Sequence, residues 1–238
     1  MILRAISLLF LATLPLIAGC GDGRSGPAPA AAVDAVPSPS ATPARRPNVP
    51  RVVVLGDSLT AGLGLDVEQS FPSLIQERLD REGHDYEVVN AGVSGDTSAG
   101  GLRRLEWALA EGHPKILIVA LGGNDGLRGL PPEQLEANLA SIIEQSQKRG
   151  LTVILAGMEA PPNFGADYTT RFRAVYPSLA ARYKVRLLPF LLAGVAGDPA
   201  LNQPDGVHPN PRGASIVADL VWRALQPELA LTRGTTDR

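Results

Sequence analysis

The stretch Arg51–Leu59 constrains the fold of this 238-residue chain more than any other. Three valines and Leu55 form an apolar run without polar alternation, which is typical of a strand buried on both faces of a parallel sheet. The run ends at Gly56, and Asp57 and Ser58 follow. A serine at the carboxyl end of such a strand lies where open α/β sheets bind their ligands. An isolated serine there would more often simply cap the next helix, so the functional interpretation depends on the rest of the chain.

Strand-like and helix-like patterns alternate from residue 51 to residue 227. Apolar runs predict five strands, at 51–55, 86–90, 115–121, 151–156 and 185–188. Apolar positions at helical spacing predict intervening helices, whose first apolar positions are residues 71, 102, 135, 168 and 216. This alternation predicts one α/β domain with a parallel sheet and helices on both faces, a three-layer arrangement. We expect the last helix to stop at Pro227 and residues 228–238 to form a flexible tail.

The amino terminus predicts export. Residues 1–19 combine a positive start at Arg4 with an apolar run of about 14 residues, too short to span a membrane. The chain's one cysteine, Cys20, follows Leu16-Ile17-Ala18-Gly19, which resembles the lipobox of bacterial lipoproteins. This resemblance implies lipidation of Cys20 and a membrane-anchored protein on the periplasmic or extracellular side of a bacterial membrane. The alternative is an ordinary secretory signal with an incidental cysteine.

The segment 20–50 is rich in proline and alanine. It is predicted to be a tether between the lipidated cysteine and the domain.

The composition of the whole chain argues against several classes of function. A net charge of −2 does not suggest a nucleic-acid partner. With one cysteine and three histidines, an intrachain disulfide is impossible and a Cys/His metal site is not expected.

Four polar, glycine-rich loops follow predicted strands. They span residues 56–59, 90–97, 121–126 and 205–210. Because parallel strands all end on one side, these loops are predicted to meet at one edge of the sheet. Together they contain the residue types of an acyl-transfer site, namely a nucleophile, oxyanion donors, a base and an orienting acid.

The proposed base is His208, because His84 and His113 lie in turns at the opposite edge of the sheet. Asp205 precedes His208 by three residues, so its carboxylate can reach one imidazole nitrogen while the other faces Ser58. A serine hydroxyl needs such a base to become a nucleophile, and the carboxylate fixes the imidazole tautomer. The spacing therefore predicts a Ser58–His208–Asp205 triad. The alternative is a surface histidine beside a helix start.

Three donors are predicted to stabilise an oxyanion. Gly95 lies in a turn where its N–H can point into a cleft without an obstructing Cβ. Asn124 offers a side-chain amide after two glycines, and the N–H of Ser58 completes the set. The neighbouring aspartates are interpreted as loop-organising hydrogen-bond acceptors rather than metal ligands: Asp57, Asp96 and Asp125.

These blocks resemble those of the SGNH (GDSL) hydrolases. The matching strings are Gly56-Asp57-Ser58-Leu59, Gly95 in its block, Gly122-Gly123-Asn124-Asp125 and Asp205-x-x-His208. The resemblance covers residues 51–227 and is strongest to the branch of bacterial acyl-CoA thioesterases, lysophospholipases and arylesterases. It implies a flavodoxin-like five-stranded sheet of order 2-1-3-4-5, Ser58 as nucleophile, His208 and Asp205 as base and orienter, and an oxyanion hole of Ser58, Gly95 and Asn124. It implies a small-molecule acyl ester as substrate and no cofactor.

The chain departs from that branch in two places. One is the lipobox with its long tether. The other is the loop 157–165, where the branch often has a more apolar stretch against which an acyl chain packs. Glu159, Pro161 and Phe164 in this loop are therefore candidate substrate contacts, and Glu159 argues against long acyl chains.

The leading hypothesis is a lipid-anchored serine esterase of the arylesterase, lysophospholipase or thioesterase type. A carbohydrate O-deacetylase of similar fold is an alternative, favoured by activity on acetyl esters alone. A non-catalytic α/β binding module is a third class. The absence of both G-x-x-x-x-G-K-[ST] and G-x-G-x-x-G after the first strand argues against a nucleotide-binding version of it. A degenerate hydrolase would lack a catalytic residue, and none is missing here.

Overall fold

The computed structural model describes residues 49–233 of the chain. Five strands form one sheet, and every neighbouring pair is parallel, with the order β2-β1-β3-β4-β5. The strands are β1 Pro50–Gly56, β2 Glu87–Gly92, β3 His113–Ala120, β4 Thr152–Ala156 and β5 Arg186–Leu188. The predicted α/β fold and strand order are confirmed.

Helices cover the sheet in two groups. Their bounds are α1 Ser58–Ala61, α2 Phe71–Arg81, α3 Ser98–Arg103, α4 Leu105–Ala108, α5 Gly123–Leu127, α6 Pro132–Lys148, α7 Ala166–Tyr183 and α8 Pro211–Arg233. Helix α2 packs on α8, while α6 packs on α3 and α7, and members of both groups contact strands. This gives the three-layer arrangement that the alternating pattern predicted.

The core lies along β1 and β3, the two strands at the centre of the domain. In β1, residues Val52 to Leu55 are at most 1% exposed, and the apolar part of β3 is equally buried. Both faces of these strands are covered, which explains their continuous β-branched and aliphatic sequences. The carboxyl ends of both strands therefore start the site loops from fixed positions.

The predicted helix around Leu102 and Leu109 is divided in two. Helix α3 ends at Arg103 and α4 begins at Leu105. Arg104, between them, donates from its guanidinium to the side chain of Asp96 at 2.5 Å and to the carbonyl oxygens of Ala91 and Gly56, at 2.8 and 2.7 Å. These bonds connect the helix break to the ends of β2 and β1.

The prediction that the last helix stops at Pro227 is wrong. Helix α8 continues to Arg233. Proline removes one backbone hydrogen bond from a helix interior, but here tertiary contacts hold the last turns in place: Leu229 is fully buried, and the Glu228 carboxylate accepts from Arg186 of β5 at 2.7 Å. The predicted tail therefore does not begin at residue 228.

The predicted export signal, Cys20 and the predicted tether up to residue 48 lie outside the described residues. Among residues 49–233, no helix is both long and apolar enough to cross a membrane.

Candidate active site

Ser58 lies at a tight strand-to-helix junction. It is the first residue of α1, and Asp57 caps that helix by accepting the N–H of Leu59 at 3.0 Å. Helix α1 packs closely on the end of β1, so a Cβ at Gly56 would lie 1.9 Å from the buried hydroxyl of Thr60. The glycine is therefore required for packing, and this packing sets the place of Ser58.

The structure brings Ser58, His208 and Asp205 together. His208 Nε2 lies 2.9 Å from Ser58 Oγ, and His208 Nδ1 lies 2.7 Å from Asp205 Oδ2. An ionised carboxylate only accepts hydrogen bonds, so Nδ1 carries the hydrogen and Nε2 is left to accept from the serine hydroxyl. This is the geometry of a serine nucleophile with an oriented base.

The Asp205 carboxylate is organised by its own loop. Its Oδ1 accepts the backbone N–H groups of Val207 at 2.9 Å and His208 at 3.0 Å. The backbone N–H groups of His208 and Val207, together with the His208 imidazole, lower the pKa of Asp205 from 3.8 to about 2. The carboxylate therefore remains ionised throughout the neutral range and favours an imidazole protonated at Nδ1.

The three predicted oxyanion donors are the N–H groups of Ser58 and Gly95 and the side-chain amide of Asn124. All three residues line one cleft. Gly95, with φ of +83°, lies in the turn after β2, and Asn124 lies in α5 after β3. Among residues 49–233, the backbone N–H groups of Ser58 and Gly95 make no hydrogen bond. The Asn124 amide donates to Asp57 Oδ2 over a long 3.4 Å. All three are thus available to a substrate oxygen.

Each neighbouring aspartate accepts hydrogen bonds within the site loops or from the elements beside them. Asp57 is 2% exposed, and burial raises its pKa from 3.8 to about 6. Asp96 binds Arg104, and the buried Asp125 accepts from the N–H and hydroxyl of Ser98 at 2.7 and 2.5 Å. Within the described part of the chain, no three acidic, histidine or cysteine side chains come together as metal ligands would.

The cleft has a volume of about 670 Å³ and is largely apolar. Its apolar wall combines residues from the segment after α1, from α5, from the loop 157–165 and from the segment after β5, among them Leu63, Leu127, Met158, Pro161, Leu192 and Val207. Glu159 also lines the cleft and pairs with Arg173 at 3.1 Å. Phe164 does not line it, because its ring packs on Tyr168 with centroids 5.3 Å apart. Of the three candidate substrate contacts, Glu159 and Pro161 thus lie in the cleft and Phe164 lies outside.

Sequence reasoning missed part of the cleft wall and one connection between its loops. Phe190 and Leu192 line the cleft directly after β5, and an apolar run at a strand's carboxyl end was the available signal. Arg128, at the end of α5, donates to the carbonyl oxygen of Gly95 at 2.9 Å. No local pattern marks this contact, because its partners are 33 residues apart.

Comparisons with known proteins agree with this architecture. The model of the GDSL-like Lipase/Acylhydrolase family matches residues 54–216. Esterase TesA of Pseudomonas aeruginosa is 48% identical over 75% of this chain and 89% of its own length. Thioesterase 1/protease 1/lysophospholipase L1 of Escherichia coli is 39% identical over 74% and 83%. A crystal structure of TesA has a TM-score of 0.71 at 48% identity, covering 75% of this chain and 98% of that one. The chain therefore belongs to the GDSL-like (SGNH) lipase/acylhydrolase family and is a carboxylic ester hydrolase.

Proposed function

We propose that the chain is a serine esterase in which Ser58, His208 and Asp205 form the catalytic triad. The observation that carries this proposal is the unbroken series of hydrogen bonds from Asp205 through His208 to Ser58 Oγ. It ends in a cleft that also contains three hydrogen-bond donors and an apolar wall.

The proposed reaction has two acyl-transfer steps. Ser58 Oγ attacks the ester carbonyl carbon while its proton passes to His208 Nε2, and Asp205 stabilises the imidazolium that forms. The carbonyl oxygen becomes an oxyanion and accepts from the N–H groups of Ser58 and Gly95 and from the Asn124 amide. The leaving group departs with the proton from Nε2. Water then attacks the acyl-enzyme by the same route and releases the acid.

The cleft supports small acyl esters as substrates. Its apolar walls would contact an acyl or aryl group, while the carboxylate of Glu159 disfavours burial of a long acyl chain beside it. The names of the relatives above include an esterase and a thioesterase/lysophospholipase. We therefore propose aryl and short-chain esters and thioesters as the preferred substrates, and we expect lysophospholipid esters, which carry a long acyl chain, to be hydrolysed more slowly.

Hydrolysis of p-nitrophenyl esters from acetate to palmitate by the purified chain tests this proposal. We expect Ser58→Ala to lower kcat by about 10⁴-fold or more, because the residual rate of triad variants comes only from substrate binding and the oxyanion hole. Circular dichroism checks that the variant is folded. Near-normal activity in folded Ser58→Ala would refute the triad. Activity restricted to acetyl esters, sugar acetates included, would favour a carbohydrate deacetylase instead.

We further propose that the protein is exported and anchored by lipid on Cys20. The support is the sequence alone, in which Leu16-Ile17-Ala18-Gly19 precedes the one cysteine at the end of an apolar run. Cys20→Ala should leave esterase turnover unchanged and move the protein from the membrane fraction to the soluble fraction. Retention of the variant in membranes would contradict the lipid anchor.

A further inference from the structure

Arg128 touches the residues of two proposed oxyanion donors. Its backbone N–H donates to the carbonyl oxygen of Asn124 at 3.2 Å, and its guanidinium Nη2 donates to the carbonyl oxygen of Gly95 at 2.9 Å. We infer that Arg128 is a positioning residue, which holds the Gly95 donor in register with the Asn124 donor. This inference rests on the proposed oxyanion hole.

The sheet itself does not connect these two donors. Gly95 follows β2 and Asn124 follows β3, and β1 lies between those strands. The two loops therefore flank the Ser58 junction from opposite sides. Arg128 forms a direct link between them, because it is anchored at the end of the same short helix that carries Asn124.

The peptide after Gly95 is fixed at both ends. Its carbonyl accepts from Arg128, and its N–H, that of Asp96, donates to the carbonyl of Val93 at 3.1 Å. Gly95 has φ of +83° and no side chain, so its own dihedral angles restrain the turn weakly. Loss of the Arg128 bond would release this carbonyl and loosen the turn, and Gly95, which lines the cleft, would then no longer hold its own N–H in a fixed direction.

Arg128 is exposed, and its guanidinium is engaged with this loop rather than with the core. Its removal should therefore change the oxyanion hole without unfolding the domain. The oxyanion forms only in the tetrahedral intermediate and the transition states that flank it, and not in the bound substrate, so the effect should appear in kcat and leave KM nearly unchanged.

The test compares Arg128→Met with Arg103→Met in the full chain, using a p-nitrophenyl ester. Arg103 is an exposed arginine on α3, and its side chain makes no hydrogen bond or ion pair within residues 49–233. It therefore controls for the loss of one positive charge. We expect about a tenfold loss of kcat in Arg128→Met, the scale of one charge-assisted hydrogen bond. KM and melting temperature should stay unchanged, and Arg103→Met should behave as the wild type.

Two further readouts separate positioning from other roles. Added guanidinium ion should partly restore kcat of Arg128→Met and have no effect on Arg103→Met. The rate of covalent inactivation by a p-nitrophenyl phosphonate, which forms a tetrahedral anionic adduct on the serine, should fall in parallel with kcat.

An unchanged kcat in folded Arg128→Met would overturn the inference, as would an equal loss in Arg103→Met or a loss that appears only in KM. Arg128→Lys provides a second test if the methionine variant fails to fold: it should retain more activity than Arg128→Gln. Ser58→Ala separates the two proposals. If it stays active, the proposed function fails, whereas an inactive Ser58→Ala with a fully active Arg128→Met refutes only the role of Arg128.

Discussion

The two halves of the proposed triad are held in place by different forces. Ser58 follows a core strand, and its neighbours Asp57 and Thr60 are at most 2% exposed. Asp205 lies on a surface loop with 47% of its side chain exposed. Packing against β1 sets the position of the nucleophile, while local hydrogen bonds to backbone N–H groups set the position of the acid.

This contrast predicts which property each substitution will change. Around Ser58, a substitution must disturb close packing or a buried charge, so stability should respond. The loop around Asp205 is exposed, so a substitution there should change catalysis while the free energy of unfolding stays nearly the same. Four substitutions test this expectation, and they follow from the largest expected effect to the smallest.

Asp205→Asn should lower kcat by about 10⁴-fold. The asparagine oxygen can still accept the backbone N–H groups of Val207 and His208, but its NH₂ group would face His208 Nδ1. The imidazole would then carry its hydrogen on Nε2 and could not accept the Ser58 proton. Steady-state kinetics measures the loss, and thermal melting should show little change. A kcat within tenfold of the wild type would remove Asp205 from the triad.

Gly56→Ala should destabilise the domain by about 3 kcal/mol or more, at the upper end of overpacking costs. The new Cβ would lie 1.9 Å from Thr60 Oγ1 and 3.0 Å from the carbonyl oxygen of Ala120, in a region without free space. Urea unfolding measures the change. An unfolding midpoint equal to that of the wild type would show that α1 moves easily, contrary to the packing account of Ser58.

Asp57→Asn should stabilise the domain at pH 7.5 by up to about 3 kcal/mol, but not at pH 4. The folded-state pKa of Asp57, about 6, lies above its unfolded value of 3.8. The contribution of this carboxyl to stability is therefore complete below about pH 3.8 and is lost as the pH rises through 6. Urea unfolding of both proteins at both pH values tests this. A stability difference that is the same at pH 4 and pH 7.5 would contradict the shifted pKa.

Gly206→Ala should cost only about 1 kcal/mol. Gly206 has φ of +71°, so an alanine is strained there, but nothing lies within 4 Å of the added Cβ. It is the loop counterpart of Gly56→Ala, and urea unfolding of the two variants under the same conditions compares packing with backbone strain directly. A loss as large as that of Gly56→Ala would show that the Asp205 loop is also held by packing.

Much of the fold could be predicted from the sequence because its signals are local. Continuous apolar runs such as Val52 to Leu55 require burial on both faces, and helical spacing of apolar residues requires one covered face. The parallel order then brings the four polar loops to one edge. The proposed site residues Ser58, Asp205, His208, Gly95 and Asn124 could all be named as candidates from residue type and from their position after those strands.

Contacts between segments that are distant in the sequence decided the remaining features of the fold and of the candidate site. Pro227 is a helix breaker by local rules, yet α8 continues because Leu229 and Glu228 gain partners in the core and on β5. The sequence predicts Phe164 as a substrate contact, but in the structure its ring packs on Tyr168. The sequence by itself thus determined the elements and the chemistry at the ends of the strands. Only the tertiary structure decided the cleft walls and the Arg128 link, because the energies of such contacts depend on where separate loops come to lie.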